Sequence, residues 1–258
     1  MTPFATARNA RRFACPVLLA LLFASCAQEA PRPGVSADWV AGRAAPTFDP
    51  DGPPDALRWA LERQLSMGLV ERDSSGSIRS ALADSIGCSR DSLVWTFRLR
   101  AGLRFTDGTP LSSEDVSTAL KAGLAREDHA TRAWLLAAVT GMQNVRAGRP
   151  LPALGIETPD TRTLVLKLAR PDRRLLEKLA VPGVSTPWKQ RNGSWGDAVG
   201  VGPYRVAAAN PERSLTLVAV GPVSGVTPLS DTLHVRFVIG AAYAHGRGIV
   251  HRDVKPDN

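Results

Sequence analysis

The alternation of hydrophobic and polar residues is clearest between positions 94 and 100, where it predicts a β-strand that is buried on one face. Its apolar side chains are Trp95, Phe97 and Leu99, and its polar side chains are Thr96, Arg98 and Arg100. A turn at Asp107-Gly108 follows, and Ser112 then begins a helix in which Asp115 is placed to complete a capping box. Apolar or small residues recur beyond it at helical spacing, namely Val116, Ala119, Leu120, Gly123 and Leu124.

Comparable patterns predict helices and strands along much of the chain. Helices are predicted over 55–64, 126–146 and 171–179, and strands over 154–157, 163–168, 215–220 and 233–239. The predicted buried face of the first helix consists of Leu57, Ala60, Leu61 and Leu65. That of the second consists of Trp134, Leu135, Ala138, Val139 and Met142. No repeat is visible, and the Ala, Pro, Gly and Ser-rich stretch that precedes these elements reads as a tether.

The N-terminus has the pattern of an export signal. Three arginines precede an apolar stretch over 14–24, which is too short to span a bilayer. The stretch ends in Ala24-Ser25-Cys26, which is similar to the lipobox of bacterial lipoproteins and predicts acylation of the Cys26 thiol. The alternative is an ordinary signal peptide that is cut near Ser25, with Cys26 incidental. We therefore predict a signal peptide over 1–25 and a tether over 26–46.

Composition narrows the classes of partner and cofactor. The chain has 258 residues, 44% hydrophobic and 22% charged, as is usual for a folded protein. Its formal charge of +8 falls to +5 without the three signal arginines, and no run of Lys and Arg exceeds two residues. We therefore expect no nucleic-acid partner. With Cys15 in the signal and Cys26 acylated, Cys88 has no partner for a disulfide, and no zinc-ligand spacing occurs. We expect no metal and no cofactor.

Several ordered motifs resemble one bacterial family. The strand, turn and capped helix that contain FTDGTPLSSEDV (105–116) closely resemble a segment of the extracellular solute-binding proteins of family 5. These are the oligopeptide, dipeptide and nickel receptors of ABC importers. Thr47-Phe48-Asp49-Pro50, the 154–168 hairpin and Gly202-Pro203-Tyr204 are similar to further family segments, so the resemblance extends over 47–239. It predicts a partial solute-binding domain over those residues.

The resemblance implies a fold and a function. The fold would be α/β: the mixed-sheet first lobe, with a small subdomain, of a periplasmic-binding-protein-like type II fold, incomplete because whole family members are much longer. The chain would be a non-enzymatic, lipid-anchored, extracytoplasmic receptor for a peptide or other small solute, and its partner would be an ABC permease. Because one lobe offers half a pocket, we expect weak or absent ligand binding. The ligand contacts that the resemblance favours are Ser66, Met67 and Trp188.

The last residues have a different character. His251-Arg252-Asp253-Val254-Lys255-Pro256-Asp257-Asn258 resembles the catalytic loop of Ser/Thr protein kinases. That resemblance implies a proton-accepting or hydroxyl-orienting role for Asp253, a phosphate contact for Lys255 and a magnesium ligand in Asn258. The chain shows no Gly-rich nucleotide loop, no VAIK-type lysine and no DFG motif, so we expect no kinase activity and treat 240–258 as a tail fragment. The alternatives to a receptor are a kinase fragment with ATP-dependent phosphotransfer and a non-functional fusion product.

Overall fold

The computed structural model describes residues 35–42, 45, 47–51, 55–122, 124, 130–146, 150–190, 193–210 and 212–238, with the side chains of 130–132 excepted. The predicted signal peptide, the acylation site Cys26 and the kinase-like tail with Asp253, Lys255 and Asn258 lie outside these residues. The predictions that concern them remain predictions.

The described residues form ten strands and four α-helices. The strands are β1 (Ser36–Ala41), β2 (Val70–Arg72), β3 (Ile78–Ser80), β4 (Ala83–Cys88), β5 (Val94–Leu99), β6 (Ile156–Asp160), β7 (Thr163–Lys167), β8 (Tyr204–Asn210), β9 (Ser214–Ala219) and β10 (Thr232–Phe237). The helices are α1 (Ala56–Leu65), α2 (Ser113–Lys121), α3 (Ala130–Leu135) and α4 (Leu175–Leu179). Two 3₁₀ turns, Met142–Asn144 and Trp195–Asp197, complete the described elements.

Two four-stranded sheets and one hairpin organise these elements. One sheet has the order β1-β10-β9-β8 and is mixed, because β1 pairs with β10 in parallel while the other pairs are antiparallel. The second sheet, with the order β4-β5-β7-β6, is antiparallel throughout, and β2 pairs with β3 in the hairpin. Helix α2 packs over β6 and β7, and α1 packs against β8.

Helix α2 begins where the sequence predicts. Ser112 is its N-cap, and its side chain accepts a hydrogen bond from the Asp115 N–H while the Asp115 carboxylate accepts one from the Ser112 N–H at 2.8 Å. This capping box satisfies two backbone donors that the helix cannot pair. Val116 and Leu120 are fully buried against the antiparallel sheet, in the same core as Phe97 of β5.

We expect Ser112→Ala to lower the free energy of unfolding by about 1 kcal/mol, because one N-terminal amide of α2 loses its acceptor. Urea denaturation monitored by circular dichroism measures the change. Ser74→Ala, in an exposed turn, is the matched control and is expected to have no measurable effect. Equal stabilities for the Ser112→Ala variant and the wild type would contradict the capping role.

Each four-stranded sheet has its own hydrophobic core. The core of the antiparallel sheet includes Phe97 and Leu166 from the strands and Leu136 and Met142 from the segment after α3. The core of the mixed sheet joins α1 to an aromatic group made by Phe48, Trp188, Trp195 and Tyr204. Trp195 is 1% exposed and Phe48 is also 1% exposed, so the mixed sheet is closed on this face by aromatic rings.

The prediction of one helix over 126–146 is wrong. Helix α3 ends at Leu135, and the next residues turn so that the Thr140 N–H donates to the Lys167 carbonyl at 2.9 Å. Val139 forms a β-bridge with Leu168, so the backbone extends the sheet edge instead of a helix. Leu135, Ala138, Val139 and Met142 are buried as predicted, but Trp134 is 64% exposed. After residue 135, the apolar residues are buried because they pack in the core of the antiparallel sheet and not because they share a helical face.

Part of the predicted tether is strand. Ser36–Ala41 forms β1, with Trp39 opposite Val235 in the parallel pairing to β10. Ala37, Trp39 and Ala41 are less exposed than the residues that alternate with them, and Trp39 and Ala41 belong to the core of the mixed sheet. The tether prediction over 26–46 is therefore wrong for these six residues, where a short period-2 pattern was hidden among Ala, Gly and Ser.

Candidate functional site

The residues predicted to contact ligand lie beside the end of α1. Ser66 is the C-cap of that helix, and its N–H donates to the Glu62 carbonyl at 2.8 Å. Met67 follows between α1 and β2, outside regular secondary structure. Ser66 and Met67 are each 2% exposed and Trp188 is 6% exposed, so all three side chains are buried in this lobe.

The Ser66 hydroxyl joins three distant parts of the chain. It donates a hydrogen bond to the Pro187 carbonyl at 2.9 Å and accepts one from the Val201 N–H at 3.0 Å. Pro187 precedes Trp188, so the bond brings the Ser66 and Trp188 segments together. Val201 was not predicted as part of the site. We call residues 65–69, 185–188 and 200–202 the cleft junction.

Close backbone contact explains the glycines of the cleft junction. A Cβ atom on Gly202 would lie 2.6 Å from the Leu65 carbonyl oxygen and from the Ser66 nitrogen, closer than real Cβ contacts occur. Gly200 faces the same two residues, and a Cβ on it would also overlap their atoms. The glycines therefore let the segment before β8 lie directly on the end of α1. The Gly202-Pro203-Tyr204 motif marked this segment in the sequence only through the family resemblance, which gave no sign of the contact with α1.

Ser185 fixes the other side of the cleft junction. Its hydroxyl accepts a hydrogen bond from the Leu69 N–H at 3.0 Å and donates one to the Leu179 carbonyl at 2.9 Å. Gly68 allows this approach, because a Cβ on it would lie 2.6 Å from the Ser185 Oγ. Two buried serines, Ser66 and Ser185, thus hold the backbone of 65–69 in one conformation, and neither hydroxyl has a donor to spare for a ligand.

Trp188 carries a polar group that stays unpaired. Its ring contacts Phe48 edge-on, with centroids 5.0 Å apart and planes at 74°, and Phe48 in turn lies 5.1 Å from Trp195. The Trp188 Nε1–H is buried, and no hydrogen-bond acceptor reaches it from the described residues. A buried indole N–H without an acceptor costs about 1–3 kcal/mol, which the packing of the ring has to offset.

The cavity next to the cleft junction is small and charged. Its volume is about 20 Å³, the space of one water molecule, and Glu62, Arg63, Ser66, Glu71 and Arg72 contribute to its walls. It cannot hold a peptide. The residues of the cleft junction are themselves buried, so they support the surface beside this cavity and do not form an enclosed pocket.

Charged residues around this cavity are paired. The Arg79 guanidinium lies 2.6 Å from a Glu71 carboxylate oxygen. Burial raises the pKa of Glu71, and the attraction of Arg79 and Arg63 opposes that rise without cancelling it. Arg58 and Glu62 form a second pair at 3.3 Å with side chains only 5% and 2% exposed. The apolar spacing of α1 gave no sign that this pair is buried.

The raised pKa of Glu71 predicts a dependence of stability on pH. The folded state binds the Glu71 proton more tightly than the unfolded state does, so its contribution is present below 4.5 and is lost as pH rises through the folded pKa. We expect the stability of the wild type relative to Glu71→Gln to fall as pH is raised from that region. Urea titrations at several pH values measure the difference.

The Asp160→Asn variant is a control for which the pH dependence of stability is expected to have the opposite sign. The backbone N–H of Arg162 and the Thr163 hydroxyl hold the pKa of Asp160 below 3.8, so its contribution is present above that value and is lost as pH falls. A difference between wild type and Glu71→Gln that rises with pH, or that does not change, would contradict the burial of Glu71.

A second groove lies away from the cleft junction. Its volume is about 460 Å³, and it is lined by Ala133, Ala137, Met142, Gln143, Ala169 and Arg170. The exposed Trp134 ring stands nearby under the Lys178 ammonium, 5.3 Å from the ring centroid. None of the predicted ligand contacts lies in this groove.

The described part of the chain shows no arrangement of side chains that is typical of a metal site. Within it, no three His, Cys, Asp or Glu side chains converge as a metal site would require. Cys88 is exposed and its thiol is free. The carboxylates that the sequence assigned to local structure have that role, since Asp115 caps α2 and Asp107 accepts the Thr109 N–H at 2.9 Å. Among the described helices, none combines the length and apolarity that crossing a bilayer requires.

Comparisons with known proteins identify the family. The family model of the bacterial extracellular solute-binding proteins, family 5 Middle, matches residues 77–243. The oligopeptide-binding protein OppA of Bacillus subtilis is 24% identical over 173 residues, which is 63% of this chain and 32% of that protein. The dipeptide-binding protein of Lactococcus lactis subsp. cremoris is 31% identical over 118 residues, 45% of this chain and 22% of that protein.

Solved structures agree on the fold. OppA of Listeria monocytogenes bound to peptide superposes with a TM-score of 0.71 at 18% identity, covering 83% of this chain and 45% of that one. OppA of Haemophilus influenzae in complex with RPPGFSPFR gives a TM-score of 0.72 at 20% identity, covering 84% and 44%. The chain thus spans about a third or less of these curated relatives and under half of the solved ones.

The chain belongs to the bacterial extracellular solute-binding proteins of family 5. The predicted α/β fold, a partial periplasmic-binding-protein-like fold with open sheets, is confirmed. The members of this family are transport receptors and not enzymes, which confirms the non-enzymatic prediction. The kinase alternative finds no support among the comparisons. The domain bounds 1–25, 26–46, 47–239 and 240–258 stay predictions outside the strand already described.

Proposed function

We propose that this chain supplies one wall of the peptide-binding cleft of a lipid-anchored, extracytoplasmic receptor that serves an ABC permease. Family membership over 77–243 supports a receptor, and relatives named for oligopeptide and dipeptide binding support peptides as the ligand class. The observation that supports the position of the cleft is the cleft junction, where the Ser66 hydroxyl ties the 65–69 segment to the backbone that precedes Trp188 and to Val201.

The roles of the three predicted contact residues follow from their hydrogen bonds and their burial. The hydroxyls of Ser66 and Ser185 are committed to backbone partners, so they position the wall and do not bind the ligand directly. The Trp188 Nε1–H has no acceptor in the described part of the lobe. Because all three side chains are buried, we assign Ser66, Met67 and Trp188 the support and shape of the wall beneath the ligand. No charged side chain is required for this mode.

The chain alone is proposed to bind peptides weakly or not at all. A wall without an opposing surface leaves most of a peptide in water, so little apolar area is buried and few hydrogen bonds form. Calorimetric titration with trialanine and with RPPGFSPFR should show no saturable heat at micromolar concentrations. A dissociation constant near 1 µM or below for either peptide would contradict the one-wall arrangement.

The unpaired Trp188 N–H predicts that Trp188→Phe and Trp188→Ala differ strongly in stability. Trp188→Phe keeps the aromatic packing on Phe48 and removes the unpaired N–H, so the lost ring volume and the relieved donor offset each other. We expect that variant to lose less than about 1 kcal/mol of unfolding free energy, whereas Trp188→Ala loses about 3–5 kcal/mol. Urea denaturation compares the two. A loss well above 1 kcal/mol for Trp188→Phe would show that the indole N–H already has an acceptor.

The lipid anchor has its own test. Cells that express the whole chain are labelled with radioactive palmitate, and the membrane fraction is compared with that of Cys26→Ala. We expect label in the wild type and loss of both label and membrane attachment in the variant. An unlabelled wild type with unchanged fractionation of the variant would refute the anchor and leave a secreted form.

A further inference from the structure

Three exposed aliphatic side chains belong to segments that meet at one end of the mixed sheet. Val35 is 58% exposed, Val220 43% and Leu229 95%. Hydrogen bonds gather these positions around Asp231, whose N–H donates to the Val35 carbonyl at 2.8 Å and whose carbonyl accepts from the Ala219 N–H at 2.9 Å. Val220 and Leu229 lie one and two residues from these bonded positions in sequence. We call Val35, Val220 and Leu229 the apolar tip.

The apolar tip is held by ordered backbone. The Tyr204 hydroxyl donates to the Ser230 carbonyl at 3.1 Å and accepts from the Ser230 N–H at 3.2 Å, with both side chains buried. The Val220 N–H donates to the Pro203 carbonyl at 2.9 Å. Leu229 adjoins Ser230, so its near-complete exposure belongs to an anchored loop and not to a free end. The transfer of such an exposed leucine side chain from water to an apolar phase has a favourable free energy.

We propose that the apolar tip rests on the lipid bilayer to which the chain is attached. This inference depends on the lipid anchor at Cys26 in the proposed function. Val35 is nine residues beyond Cys26, so even a fully extended connection holds the apolar tip within about 32 Å of the acylated residue. A covalent link of that length keeps the membrane surface at a high local concentration for the apolar tip.

The composition of the apolar tip favours a bilayer over a protein partner. Stable protein interfaces bury about 800 Å² on each side and rely on Trp, Tyr and Arg anchors. The apolar tip has three aliphatic side chains and none of those residues. Aliphatic side chains that project from a fixed loop can enter the boundary between headgroups and acyl chains without a shaped pocket. The opposite end of the sheet, the β8–β9 turn with exposed Glu212 and Arg213, lacks such a surface.

The test couples the chain to vesicles chemically, so that it does not require acylation by cells. The chain from Cys26 onward, with Cys88→Ser, is attached through the Cys26 thiol to a maleimide lipid in phosphatidylcholine–phosphatidylglycerol vesicles. Hydrogen exchange measured by mass spectrometry then compares coupled and free protein. We expect amides in 221–230 to exchange several-fold more slowly when coupled, and those of the β8–β9 turn to be unchanged.

The possible results distinguish a bilayer from a second copy of the chain as the partner of the apolar tip. The double variant Val220→Ser/Leu229→Ser should lose the protection while its circular dichroism spectrum stays native. Protection that survives in this variant, or equal exchange in coupled and free wild type, would overturn the proposal. Protection that appears without vesicles and grows with protein concentration would assign the apolar tip to a second copy and would also overturn it. Failure of palmitate labelling in cells refutes the anchor alone, because coupling bypasses it.

Discussion

Replacing Gly202 by alanine should lower the free energy of unfolding by at least about 3 kcal/mol. The new methyl group would lie 2.6 Å from the Leu65 carbonyl oxygen and the Ser66 nitrogen, and neither backbone atom can move without displacing the end of α1. The same displacement would break the bond from the Val201 N–H to the Ser66 hydroxyl. Urea denaturation followed by tryptophan fluorescence measures the loss.

Gly42→Ala is the matched control. No atom lies within 4 Å of the Cβ position at Gly42, so the same change of residue is expected to leave stability within about 0.5 kcal/mol of the wild type. If Gly202→Ala and Gly42→Ala behaved alike, the segment before β8 would not lie against α1, and the cleft junction would be wrong.

The second large effect is expected at Trp195. Its side chain is 1% exposed and closes the core of the mixed sheet beside Phe48, so Trp195→Ala should cost about 3–5 kcal/mol through lost burial and the cavity left behind. Trp134→Ala removes the same side chain from a site that is 64% exposed. We expect it to cost no more than about 1 kcal/mol, mainly the contact with Lys178.

The two tryptophan variants also test the correction to the predicted helix. Helical spacing over 126–146 placed Trp134 in the core, whereas the structure turns the chain after Leu135. Thermal or urea unfolding of both variants distinguishes these arrangements. A larger loss for Trp134→Ala than for Trp195→Ala would restore the long helix and contradict the described fold.

Local patterns in the sequence predicted the parts of the fold that local physics determines. The period-2 alternation over 94–100 matches β5, with Phe97 fully buried and Arg98 exposed. The Ser112–Asp115 pair predicted the start of α2 to the residue. Both features depend on neighbours in sequence, so a single chain is enough to find them.

Features that depend on distant partners could not be predicted in the same way. β1 is a strand because β10, almost 200 residues later, pairs with it in parallel. Arg58 and Glu62 occupy buried positions of α1 because they pair with each other there, which an apolar pattern cannot reveal. The backbone leaves the helix after Leu135 and packs along the sheet, where the Lys167 carbonyl accepts from the Thr140 N–H.

The candidate site shows the same difference between features that the sequence reveals and features that depend on distant contacts. The family resemblance selected Ser66, Met67 and Trp188, and the structure brings their segments together through the Ser66 hydroxyl. It did not select Gly200, Val201 or Ser185, whose roles are backbone contacts across more than 100 residues of sequence. Nor could it show that all three side chains are buried, a fact that gives them a supporting position in the wall.

Photo-crosslinking of a peptide to the chain tests the central claim most directly, and it tolerates weak binding. Trialanine carrying a diazirine is irradiated with the protein at millimolar concentration, and the adducts are located by mass spectrometry. The account predicts adducts concentrated on the exposed and half-buried residues that flank the cleft junction, Arg63, Glu71 and Lys189, and competed by unmodified trialanine. Competed adducts in the groove lined by Ala133 and Met142, with none beside the cleft junction, would contradict it.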